Sequence, residues 1–164
     1  MIMASGLLSG AAHADEPRII AKDGYWTAYT FIEDGKKVCY MASQPQKMDN
    51  SAKKAKRGDV YALVTNRPAD GTKNVFSYIA GYTYKAGSNV TVTIGKDKFT
   101  LFTQDDTAWA PDGATDNKIA AAMRKGKSMV VKGESAHGTA TTDSFALKGT
   151  GAAYEAITRD CGKT

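Results

Sequence analysis

The stretch VTVTI at residues 90–94, followed by the turn GKD at 95–97 and the run FTLFT at 99–103, decides the fold of this chain. The first segment alternates strictly, so its three aliphatic side chains fall on one face of a strand and its two threonines on the other. A glycine-containing turn then leads into a second segment rich in aromatic and β-branched residues. We therefore predict an antiparallel hairpin with one buried and one solvated face.

Six further segments of the same character lie on both sides of this hairpin. They are Tyr25–Ile32, Lys37–Ala42, Val60–Thr65, Val75–Ala80, Ser128–Gly133 and Thr142–Lys148. Turn signals such as Asp34-Gly35 and Pro68 separate them. Seven or eight short strands at intervals of roughly eight to twelve residues predict an antiparallel β-sandwich or barrel.

Two segments predict short helices on the sheet. Thr115 or Asp116 can cap the run Asn117–Arg124, and Gly126 is a suitable stop. The second predicted helix extends from about residue 152 to residue 160, with apolar side chains on one face.

The N-terminus has the pattern of an export signal. Residues 7–11 form a short apolar run, and Ala-His-Ala at 12–14 gives a signal-peptidase pattern just before the charged Asp15 and Glu16 and the proline at 17. No Lys or Arg precedes the run, so we interpret residues 1–14 as a truncated signal peptide and residues 15–164 as a single mature domain. A disordered, alanine-rich N-terminus of a cytoplasmic protein is the alternative. No stretch approaches the roughly 18 apolar residues of a spanning helix, so we predict no transmembrane segment.

The composition is that of an ordinary globular domain with a basic balance. Hydrophobic residues make up 42% of the chain and charged residues 24%, and the formal net charge is +5. A basic exported domain is attracted to anionic partners such as lipid head groups and polysaccharides. The lysines are scattered across turns, so nucleic acid is not a predicted partner.

The segment from Gln44 to Gly58 concentrates positive charge without an apolar period, and it predicts an exposed loop. Its candidate contacts with an anionic lipid or glycan are Lys53, Lys54, Lys56 and Arg57. A solvated loop without a partner is the alternative.

No motif for catalysis, a cofactor or a metal stands in the sequence. His137 is the only histidine of the predicted mature chain, and it falls in a predicted hairpin turn, where a solvated role is favoured over catalysis. Phosphate-binding loops, dinucleotide fingerprints and nucleophile elbows are lacking from the sequence. We predict a protein that is not an enzyme and has no catalytic residues, cofactor or metal. A hydrolase using a carboxylate pair, such as Asp105-Asp106 or Asp23 with Glu33, is the alternative.

Two cysteines and two tryptophans are the remaining candidates for a special role. Cys39 and Cys161 are an isolated pair in a predicted exported domain and predict a disulfide, with two free thiols as the alternative. Zinc is disfavoured because one histidine and no Cys-x-x-Cys spacing are available. Trp109 is predicted to seal the core at the end of the sheet, with a binding edge as the alternative.

A series of short motifs spans the chain from Ile19 to Cys161. They are residues 24–27, 37–43, 57–65, 79–82, 102–103, 106–109, 147–149, 152–157 and Cys161. In order and spacing, together with the A-x-A leader, they resemble the invasion associated locus B family of alphaproteobacterial exported proteins. Thr150-Gly151 departs from the pattern, where a bulky aromatic is expected.

The resemblance implies an immunoglobulin-like antiparallel β-sandwich in the periplasm or cell envelope, or secreted, with no cofactor. It carries over no catalytic residues, and only Cys39 and Cys161 match as structural positions. The family name implies a link to host-cell invasion and virulence. We predict an exported, non-enzymatic factor that binds an envelope or host-surface component; a structural or stress-related periplasmic factor is a further alternative.

Overall fold

Eleven antiparallel strands and two helices make up the computed structural model, which describes residues 15–50 and 56–162. The strands are β1 Arg18–Asp23, β2 Trp26–Glu33, β3 Lys36–Ser43, β4 Lys47–Asn50, β5 Tyr61–Arg67, β6 Thr72–Ile79, β7 Asn89–Ile94, β8 Asp97–Gln104, β9 Thr107–Trp109, β10 Ser128–Glu134 and β11 Ala140–Ala146. The helices are α1 Gly113–Lys125 and α2 Thr150–Cys161.

The strands join edge to edge in the order β1-β2-β3-β5-β6-β9-β8-β7-β10-β11-β4. Strands far apart in this order nevertheless face one another across the core. Tyr78 of β6 meets Phe145 of β11 edge to face, with ring centroids 5.9 Å apart. Trp26 of β2 donates its indole N–H to the carbonyl of Ala146, at 3.0 Å. This arrangement is the predicted all-β sandwich.

The hairpin predicted from residues 90–103 is confirmed as β7 and β8. Val90 and Val92 are fully buried and Ile94 nearly so, whereas Thr91 and Thr93 lie half-buried on the other face. Alternation in the sequence therefore reports burial directly in this part of the sheet.

Helix α1 begins earlier than the sequence predicted. Asp112 is its cap, since its carboxylate accepts from the backbone N–H of Thr115 at 2.7 Å, so the prediction of Thr115 or Asp116 as cap was wrong. The sequence did not indicate this start, because α1 begins with Gly113 and glycine is a poor helix former. Asp116 is instead buried in the first turn and accepts from the backbone N–H of Phe76 at 2.9 Å.

Helix α2 is fixed at both ends. At its start, the Thr150 hydroxyl lies 2.8 Å from the carbonyl of Leu147 and 3.0 Å from that of Met123, which ties α2 to α1. At its end, Cys161 forms a disulfide with Cys39 of β3, with the two Cα atoms 5.8 Å apart. The predicted disulfide is confirmed. Among the described residues, neither helix is both long and apolar enough to cross a membrane.

Two local predictions need correction. Residues 47–50, predicted as part of an exposed loop, form the edge strand β4 beside β11. A short, charged edge strand protects a sheet from further pairing, and it carries no apolar alternation. Trp109, predicted to belong to the core, is half-buried on the outer face, because its neighbour Ala108 takes the inward position in β9.

Candidate functional site

A buried ion pair joins Arg57 to Asp143 of β11. The two terminal guanidinium nitrogens donate to the two carboxylate oxygens at 2.7 and 2.6 Å, and the side chains are only 7% and 1% exposed. The third guanidinium donor, Nε, reaches the carbonyl of Ala80 at 2.7 Å. This two-pronged geometry fixes the guanidinium in position.

The backbone around Arg57 explains its position. The N–H of Gly58 donates to the carbonyl of Gly81 at 2.8 Å, and Gly81 has φ +74°. A Cβ atom at Gly81 would lie 2.4 Å from the Gly58 carbonyl oxygen, so only glycine permits this close approach. The crossing of the two backbones directs Arg57 inward toward Asp143.

Tyr78 completes the cluster by donating its hydroxyl to the Asp143 carboxylate. Burial raises the pKa of Tyr78, and the negative charge of Asp143 raises it further, so the phenol keeps its proton. Burial by itself would lower the pKa of Arg57, but the hydrogen bonds and charge of Asp143 outweigh it and the pKa is raised. The cluster is therefore internally neutral, with one carboxylate held by two donors.

A pocket of about 370 Å³ lies beside this cluster. It is formed by the chain near the end of β4, by Tyr82, and by the β10–β11 hairpin. The lining residues are Asn50, Lys56, Arg57, Tyr82, Ser135, His137, Thr139 and Thr141. Five of these eight side chains carry hydroxyl or amide groups, but most of the exposed lining surface is apolar, so the pocket can combine a few hydrogen bonds with apolar contact to a ligand.

Tyr82 is held rigidly in the pocket wall. Its hydroxyl lies 2.6 Å from the hydroxyl of Thr141, and its ring meets that of Tyr84 edge to face at 5.2 Å. The Arg57 guanidinium lies 5.0 Å from its ring centroid, a cation–π contact. Burial also raises the pKa of Tyr82, so its hydroxyl remains protonated. The wall is thus set before any ligand arrives.

Two of the four predicted cationic contacts lie among the described residues, and they differ in exposure and in pairing. Lys56 is exposed at the pocket and has no ion-pair partner among the described residues. Arg57 is buried, and its charge is compensated by Asp143. Lys53 and Lys54 lie outside the described residues. The role of this segment in binding an anion remains a prediction. Replacement of Lys56, which is described and exposed, tests it.

Asp143 and the hairpin side chains were missed by sequence reasoning. Asp143 stands two positions from Phe145 in β11, so it shares the inward face of that strand. A carboxylate at an inward position of a strand requires a buried hydrogen-bond or ion-pair partner. The inward position of Asp143 was therefore the signal in the sequence that could have indicated the pair. His137 does occupy the predicted hairpin turn, but the fold also places it in the pocket wall.

The carboxylate pairs proposed from the sequence are placed differently from one another. Asp105 and Asp106 form the turn between β8 and β9, with φ +54° at Asp105. Asp23 pairs with Trp26 at one end of β2, and Glu33 lies at the other end, so the fold does not bring this second pair together. No group of three or more His, Cys, Asp or Glu side chains suited to a metal occurs among the described residues.

Comparison with known families gives one match over most of the chain. The family described as Invasion associated locus B (IalB) protein matches residues 26–158, a span that includes the ion pair and every pocket residue. No curated protein and no solved structure matches this chain.

Proposed function

This chain belongs to the invasion associated locus B family, and from that membership we propose that it is an exported, non-enzymatic factor that binds an anionic component of the cell envelope or host surface. The family is not known as an enzyme family. The pocket beside the Arg57–Asp143 pair is the proposed binding site.

The observation that carries this proposal is the preformed pocket with a cation, Lys56, that has no ion-pair partner among the described residues. The buried ion pair fixes Arg57, the residue next to Lys56, and so places Lys56 at the edge of a rigid wall. Rigid walls reduce the entropy lost when a ligand binds. An anion at Lys56 would then find hydroxyl and amide groups around it.

Export is supported by two features. The N-terminal pattern is that of a cleaved leader. The disulfide closes a chain separation of 122 residues, and such bonds persist in oxidising compartments such as the bacterial periplasm. We therefore propose the periplasm or cell envelope, or secretion beyond it, as the site of action.

The test replaces Lys56 by Ser and measures association with anionic phospholipid vesicles and acidic polysaccharide over a range of salt concentrations. We expect binding that weakens with added salt and falls roughly five- to tenfold in the variant, since one charge-assisted contact is removed. A triple variant with Lys53→Ser and Lys54→Ser extends the test to the rest of the segment. Arg57→Ser is avoided because it would leave Asp143 buried without its cation.

Lys96 provides the matched control. It is exposed in the turn between β7 and β8, where it lines a second basic depression with Lys125 and Lys127. Lys96→Ser removes the same charge without touching the proposed site. Equal binding by Lys56→Ser and the parent protein, or equal weakening by both variants, would contradict a role for the pocket.

The link to host-cell invasion is tested separately. A strain lacking the protein is expected to enter host cells less efficiently while keeping normal envelope integrity when grown alone. An envelope defect in the absence of a host would favour the structural or stress-related alternative.

A further inference from the structure

We propose that the ligand of this pocket is an acidic sugar residue of a polysaccharide, with its carboxylate at Lys56 and its ring among the hydroxyl groups of the β10–β11 hairpin. This inference rests on the proposed function and narrows it to one ligand chemistry. Three features of the pocket support it: the number of available charges, the type of the polar groups, and the depth at which these groups lie.

The number of available charges favours a monoanion. Phosphate is commonly held by the fork of an arginine, which can bind two oxygens at once, or by lysines acting as point charges. All three nitrogens of Arg57 already donate, to Asp143 and to the carbonyl of Ala80. Lys56 is therefore the one cation among the lining residues whose charge is not compensated within the described chain. A single point charge suits a carboxylate better than a phosphate dianion.

The polar groups favour a polyhydroxyl ligand. Asn50, Ser135, Thr139 and Thr141 carry amide or hydroxyl groups of the kind that pair with sugar hydroxyls. Part of this capacity is already used inside the protein, since the Thr141 hydroxyl pairs with that of Tyr82 and the Ser135 hydroxyl oxygen accepts from the backbone N–H of Thr139. The rest of the exposed lining is mostly apolar, which suits the C–H face of a sugar ring. Tyr82 adds a fixed aromatic surface, against which the C–H face of a sugar ring can pack.

The depth of the groups gives the ligand an orientation. Lys56 is exposed, whereas Ser135 and Thr141 are buried, at 7% and 4% exposure. The carboxylate therefore lies at the mouth and the ring inside. A volume of about 370 Å³ lies at the lower end of the usual range for small-ligand pockets, which suits one or two sugar units rather than a long chain segment.

The experiment measures binding of a defined oligomer of hexuronic acid by calorimetry. Its carboxyl-reduced form serves as the neutral ligand; inorganic phosphate and anionic phospholipid vesicles serve as competing chemistries. We expect saturable binding of the oligouronate, weakened about tenfold by carboxyl reduction or by Lys56→Gln. Thr139→Val should weaken binding several-fold without changing its salt dependence, because it removes a hydroxyl and no charge. Lys96→Gln should bind as the parent protein does.

The possible outcomes separate the two levels of the argument. Lys56-dependent binding of vesicles or phosphate without binding of the oligouronate would overturn the acidic sugar and leave the proposed function standing. Equal affinity for the acidic and carboxyl-reduced oligomers would also overturn it. Binding of every probe without dependence on Lys56 would overturn both. Thermal unfolding at the parent temperature shows that each variant is folded.

Discussion

Two of the long-range links across this sandwich, a disulfide and a buried ion pair, differ in chemistry and in the conditions that they require. The Cys39–Cys161 disulfide joins β3 to α2 over 122 residues. The Arg57–Asp143 pair joins the end of the basic segment, residues 44–58, to β11 over 86 residues. The disulfide acts mainly by restricting the unfolded chain. The ion pair acts only in the folded state, where each charge depends on the other. The fold therefore depends on an oxidised disulfide in one place and on the presence of both charges of a buried pair in the other.

Removing the disulfide is expected to have the largest effect. The chain-entropy relation for a loop of this length gives about 4–5 kcal/mol, an upper figure because denatured-state structure reduces it. Cys39→Ala with Cys161→Ala should lower the free energy of unfolding by up to this amount, as measured by urea denaturation. Reductant should destabilise the parent protein and leave the double variant unchanged. A parent protein insensitive to reductant would contradict the comparison.

Breaking the ion pair from one side is expected to cost nearly as much. Asp143→Asn leaves the Arg57 charge buried without its partner, and such changes typically cost about 3–5 kcal/mol. The double variant with Arg57→Gln should be less destabilised than the sum of the two single variants, because both charges are then gone.

The surface pair Lys85–Glu134 is the matched control for this prediction. Its side chains are 59% and 41% exposed and their charged atoms lie 3.6 Å apart. Glu134→Gln should change the free energy of unfolding by less than about 1 kcal/mol, as is usual for solvated pairs. Equal effects of Asp143→Asn and Glu134→Gln would show that burial does not distinguish the two pairs.

The two links were not equally predictable from the sequence. Only two cysteines occur, so their pairing follows almost directly once export is inferred. The ion pair is one choice among 22 basic and 17 acidic residues, and only the inward register of Asp143 pointed to it.

The same contrast applies to the strands. Alternation located β7 because one of its faces is buried and the other is only half-buried, and the turn and aromatic content after it located β8. The edge strand β4 was not predicted because a polar edge strand has no such pattern. The order of the strands was not predicted either, because it depends on contacts between distant segments of the chain. The pocket was unpredictable for that reason, since its walls come from three separated parts of the chain.

The smallest expected effect concerns Asp116, a buried carboxylate that forms no ion pair with any described residue. Burial raises the pKa of Asp116, although the hydrogen bond from Phe76 partly offsets this. The folded state then holds the proton more tightly than the unfolded state, so stability falls as pH rises from the unfolded value through the raised folded value. Asp116→Asn should therefore be slightly more stable than the parent at neutral pH, with the difference shrinking in acid.

Asp112 supplies a control of opposite sign. The hydrogen bonds from Thr115 lower the pKa of Asp112, so its contribution is present at neutral pH and is lost as pH falls through the lowered value. Asp112→Ala should destabilise the protein at neutral pH, and the difference should shrink in acid. Thermal unfolding between neutral and acidic pH measures both variants, and a destabilised Asp116→Asn at neutral pH would contradict the assignment.

The proposed export and the proposed stability both require that the Cys39–Cys161 disulfide is formed in the periplasm, cell envelope or medium. The most direct measurement recovers the native protein from the periplasmic and extracellular fractions under acid quench and alkylates it, denatured, before and after reduction. We predict no labelled thiol before reduction and two afterwards. Two labelled thiols in the unreduced protein from outside the inner membrane would contradict the account.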